Sequence, residues 1–95
     1  MLFHIAHRHS EANCPFHDSK VISETFAKVP GAMEEAGVTV LGSYVQAAAH
    51  TMYMVVEADS AEAITAGLAP IIDIGTAITE PVVESAAMVK ELTAK

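Results

Sequence analysis

Basic residues, cysteine and long apolar runs are all scarce in this chain, and each scarcity narrows what it does. Five Lys and Arg stand against twelve Asp and Glu, a net charge of −7 with histidines neutral. A phosphate-binding surface needs clustered cations, which argues against nucleic acid and against anionic membranes as partners. A single cysteine cannot close an internal disulfide. The longest apolar runs, such as Ala69 to Ile72, fall far short of a membrane span. The start Met1-Leu2-Phe3-His4 has neither the basic residues nor the continuous apolar run of a secretion signal, which points to the cytoplasm. The chain shows no internal repeat or low-complexity linker, and no Ser-His-Asp order, glycine-rich phosphate loop or paired-cysteine motif.

What is present is apolar residue and histidine. With 95 residues the chain is expected to form one domain, 1–95. Apolar residues make up 52% of it and charged residues 18%, more apolar surface than one small core can hide. A homo-oligomer, at least a dimer, is therefore expected. Four of the five histidines fall in the first seventeen positions, and His7 to His17 holds three of them together with the only cysteine.

Residues 2 to 9 read as a strand, with Phe3, Ile5, His7 and His9 in one phase and Leu2, His4, Ala6 and Arg8 in the other. Both phases begin apolar, which places this strand centrally. Val21, Ile22, Phe26, Val29 and Met33 recur at helical spacing and predict a helix from Pro15 or Asp18 to Ala36, kinked or broken at Pro30 and stopped by Gly37. Residues 38 to 46 and 51 to 58 are β-rich runs joined by the short Ala47 to His50 connection, a hairpin. Asp59-Ser60-Ala61-Glu62 opens a second helix whose middle is weakened by Gly67 and Pro70. Residues 76 to 83 form a last strand with Pro81 near an edge or end, and 84 to 93 a short amphipathic tail helix.

The order is βαββαβ. It predicts an α+β, ferredoxin-like domain: a four-stranded antiparallel sheet with two helices on one face and the C-terminal helix added. The run from Gly42-Ser43-Tyr44-Val45-Gln46 through Glu57-Ala58-Asp59-Ser60 to Ile64, followed by Thr79-Glu80-Pro81-Val82, resembles small uncharacterised families of the dimeric α/β-barrel superfamily over residues 38 to 83. That resemblance implies the fold and a second subunit laid against the sheet. It does not choose a function, because the superfamily holds enzymes and metal-binding proteins alike.

The topology brings the scattered donors together. In a βαββαβ sheet the first strand lies beside the third and antiparallel to it, so His7 and His9 approach His50 at the start of the third. The first helix begins at the same edge with Cys14 and His17, and the second ends there with Asp73. Residues two apart on a strand lie roughly 6.6 Å apart on one side, a separation from which two imidazoles reach one ion. We therefore expect a metal site of His7, His9 and His50, completed by Cys14 or His17, for zinc, nickel, copper or iron. His4 points to the opposite face. Met33, Met52, Met54 and Met88 sit at strand and helix spacing as core filler, and Tyr53 with Glu57 as a solvated or intersubunit pair. With one coordination position open the site would activate water; fully occupied it would be structural. The alternative is a metal-free small-molecule enzyme or binding module using the space between sheet and helices, with a histidine as acid or base.

Overall fold

The computed structural model describes residues 1–94, and the sheet is its frame. Four strands, β1 (Leu2–His9), β2 (Thr39–Gln46), β3 (Thr51–Glu57) and β4 (Gly75–Val82), pair antiparallel in the order β2-β3-β1-β4. This is the ferredoxin-like α+β arrangement expected, with β1 central. Ile5 lies opposite Met54 on one side and Thr79 on the other, and His9 lies opposite Gly75. The two phases of β1 separate as the alternation predicts. Phe3, Ile5, His7 and His9 are buried beneath the helices, while Leu2, His4 and Ala6 are only partly covered on the far face.

One layer of helices closes the buried face. Val29 and Met33 from α2 (Val29–Glu35) and Ile64 from α3 (Ala61–Gly67) meet Ile5, Met54 and Val56 of the sheet, and Leu68 and Ile71 complete the core. Each such side chain contributes roughly 1.5–3 kcal/mol by leaving water. Met33 and Gly67 mark the closest approach of the two helices: a Cβ on Gly67 would collide with Met33 Sδ and lie 3.1 Å from Met33 Cα. The exposed α4 (Ser85–Thr93) buries none of its residues. Met52 and Met54 are core residues, as Met33 is, but Met88 on α4 is not. Among the described residues no helix is long and apolar enough to cross a membrane.

The first helical region departs from expectation in one instructive way. It breaks at Thr25, not at Pro30. α1 covers only Ser19–Glu24, and the 3₁₀ turn Phe26–Lys28 leads into α2. Ser23 and Thr25 donate their hydroxyls to the carbonyls of Ser19 and Val21, at 2.9 and 2.7 Å, and Thr25 leaves helical geometry at φ −118°, ψ −95°. Such back-bonding competes with the helix ladder and bends it. Pro30 instead lies in the first turn of α2, where its missing N–H costs nothing. Gly37 does end the region: its φ of 79° turns the chain so that the Val38 amide reaches the Met33 carbonyl at 2.9 Å. The second helix likewise stops at Gly67, and Pro70 starts the 3₁₀ turn Ala69–Ile74 rather than weakening a longer helix. Pro81 is tolerated because β4 is an edge strand paired only with β1.

Candidate metal centre

At the C-terminal end of β1 three segments meet. The His9 amide donates to the His50 carbonyl at 3.1 Å, which ties the strand end to the β2–β3 connection. Beyond it, Ser10 Oγ accepts from the Asn13 amide at 3.2 Å and caps a 3₁₀ turn over Glu11–Asn13. Cys14 stands in extended geometry between that turn and a second one, Pro15–His17, with Pro15 buried. Two tight turns in succession fold the chain back over the strand instead of leading it away. Asp18 then accepts from the amides of Lys20 and Val21 at 3.0 and 3.3 Å, opening α1.

The hairpin connection supplies the third donor through an unusual backbone. Gln46 Oε1 accepts from the Ala48 amide at 3.0 Å and starts the 3₁₀ turn Ala47–Ala49, after which His50 sits at φ 50°, ψ 40°. It is the only non-glycine residue with positive φ among those described. A side chain there costs roughly 1–2 kcal/mol, and such outliers persist only where the surrounding structure holds them.

The result is a compact donor set. One ligand atom each from His9, Cys14 and His50 lies within 4.8 Å of the others. A triangle of that side has its centre about 2.8 Å from each corner, so inward side-chain rotations of roughly 0.5–0.8 Å reach zinc–nitrogen and zinc–sulfur bond lengths. His9 is buried, and Cys14 and His50 are half-buried. The ring of His9 lies 5.2 Å from that of His50, and Phe16 and Phe26 each meet it edge-on at 5.7 Å while stacking on each other at 5.4 Å. Both ring nitrogens of His9 and Nδ1 of His50 are buried with no hydrogen-bond partner. Buried polar atoms are ordinarily paired, and His7 Nδ1 outside the set is buried and unpartnered as well, so it is the mutual approach of the three donors that gives the set the chemistry of a cation site.

Burial lowers the pKa of His9 below its ordinary 6.5, and His50 and His7 depress it further. The neutral imidazole, the form that binds metal, is thus favoured. The unfolded chain takes up this proton at higher pH than the folded one. The stability carried by neutral His9 is therefore full above 6.5 and is lost as pH falls through the folded value. Melts of chelated protein between about pH 7.5 and pH 5 should show a fall in melting temperature that shrinks in His9→Phe; equal slopes in the two proteins would contradict this.

The expected ligands divide. His9, Cys14 and His50 come together; His7 and His17 do not join them. His7 is completely buried, and its Nε2 is 2.9 Å from the Ile71 carbonyl. A ring nitrogen donating there holds His7 away from the cluster, with its centroid 6.4 Å from that of His9. Gly75 makes room for it: a Cβ at that position would strike the Arg8 carbonyl and lie 2.7 Å from His7 Cε1. His17 ends the second 3₁₀ turn, exposed, and Asp73 is exposed as well. His4 lies on the opposite face, 5.9 Å ring to ring from Tyr53. Glu57 accepts from the N-terminal ammonium of Met1. Phe16 and Phe26 are the residues sequence reasoning passed over; their only signal was proximity to Cys14 and a place on the apolar helix stripe. No curated protein gives a significant match to this chain. A match does extend over residues 1–95 to a family described as a domain of unknown function, DUF3303, and the chain belongs to that family.

Proposed function

We propose that this protein binds one transition-metal ion per chain through His9, Cys14 and His50. The observation that carries the reading is the approach of those three donors, from three separated segments, to within 4.8 Å of one another. Two imidazoles and a thiolate form a borderline-to-soft set, suited to zinc, copper, nickel or iron and poorly suited to magnesium or calcium. With three protein donors a fourth position stays open, and a metal held in this way acts as a Lewis acid or lowers the pKa of bound water. The metal-free alternative predicts ligand binding that persists after thorough chelation.

The proposal includes a homo-oligomer and kinship with the dimeric α/β-barrel superfamily. Tyr44, Tyr53, Ala6 and Ile78 are register neighbours across the sheet, in one row of the face turned from the helices. Tyr44 is 70% exposed and Ile78 57%, on a chain rich in apolar residues. A second copy covering this row is the arrangement that the resemblance over residues 38 to 83 implies. Elemental analysis of untagged protein purified without chelator, on fractions sized by light scattering, tests both parts. The expected result is a dimer or larger with close to one metal per chain. Less than about 0.1 metal per chain, with no tight uptake on titration, sinks the metal reading, and a monomer mass sinks the oligomer.

A further inference from the structure

The character of the fourth ligand can be read from what surrounds the three donors. Among the described residues no further His, Cys, Asp or Glu joins His9, Cys14 and His50. A divalent ion held by two neutral imidazoles and one thiolate keeps one positive charge uncompensated. In half-buried, apolar surroundings that charge attracts an anion far more strongly than it would in water.

The second observation is Phe16. Its ring stacks on Phe26 at 5.4 Å and 26°, and meets His9 at 5.7 Å, yet the residue remains 41% exposed. An exposed aromatic ring beside the donor cluster offers a flat apolar surface to whatever enters the open position. Charge and surface together define one ligand class.

Resting on the metal reading above, we propose that the fourth position receives the anionic oxygen or sulfur of a small flat organic acid. Its donor is a carboxylate, phenolate or thiolate on an aromatic or conjugated frame, and the frame lies against Phe16. The donor neutralises the ion, and the frame leaves water at the aromatic wall.

Cobalt(II)-loaded full-length protein provides the test, because its visible bands report the ligand field directly. One equivalent of cobalt should develop the bands of a low-coordinate thiolate site. Benzoate and acetate should each shift them with saturation, benzoate binding roughly two- to tenfold more tightly. In Phe16→Leu, which keeps apolar bulk and loses the flat ring, the benzoate preference should collapse toward one while acetate affinity holds. Equal affinities in the parent protein, a preference unchanged in Phe16→Leu, or no response to either anion overturns the inference while leaving the metal site standing. No cobalt uptake overturns the metal reading itself, and this inference with it.

Discussion

Zinc added to the chelated protein at a hundred to a thousand times its dissociation constant should raise the melting temperature by about 10 °C or more. Binding to the folded state alone contributes about 2.7–4.1 kcal/mol under those conditions, and for a domain of this size each kcal/mol moves the midpoint by about 4–8 °C. The donors come from the end of β1, the Cys14 turn and the hairpin connection, so an ion joining them closes chain segments that otherwise separate freely on unfolding. His9→Ala should remove the rise altogether, and Cys14→Ala should remove most of it. His9 also packs against Phe16 and Phe26, so its replacement lowers stability without metal. The quantity to compare is therefore the zinc-induced difference within each protein, read by calorimetry or near-ultraviolet dichroism. His17→Ala and His4→Ala should retain the full rise, since the exposed His17 and the far-face His4 lie outside the cluster. A rise of equal size in His9→Ala would place the ion elsewhere, and no rise in the parent protein would remove it.

The approach of β1 to His50 was legible in the sequence because strand phase and topology are long-range rules with few exceptions. Alternation put His7 and His9 on one face of the first strand, which proves to be the buried one, and the βαββαβ order put the end of the first strand beside the start of the third. What was not legible is how neighbouring histidines divide their work. His7 and His9 share a face and a spacing, but Ile71, sixty-four residues from His7, presents a carbonyl to the first and not to the second. That carbonyl is available because the chain after α3 tightens into the 3₁₀ turn Ala69–Ile74 before entering β4 at Gly75. No local pattern around His7 records it. The choice between Cys14 and His17 was equally hidden. On a continuous helix the two would share a face, whereas successive 3₁₀ turns bring Cys14 toward the cluster and leave His17 exposed. Side-chain back-bonding by Ser23 and Thr25 decided the break in the helical region, where proline had drawn attention to the wrong turn.

Replacing His50 by glycine should leave a more stable protein than replacing it by alanine, while the two replacements weaken metal binding alike. At φ 50°, ψ 40° a Cβ meets the following carbonyl, which alanine suffers as histidine does and glycine escapes. Without metal, His50→Gly should therefore be about 1 kcal/mol more stable than His50→Ala in urea unfolding, after allowance for the extra freedom glycine gives the unfolded chain. Both variants lose a donor, so both should bind zinc at least about a hundredfold more weakly than the parent. A greater stability for the alanine variant would show that the turn tolerates its side chain without strain. Zinc affinity within tenfold of the parent in either variant would remove His50 from the site. A connection needing only a turn between Ala49 and Thr51 is best served by glycine. Histidine at this position, its carbonyl bonded to the His9 amide and its ring 5.2 Å from the His9 ring, sets an imidazole beside His9 at the expense of backbone strain, and the two variants test whether that ring serves a metal.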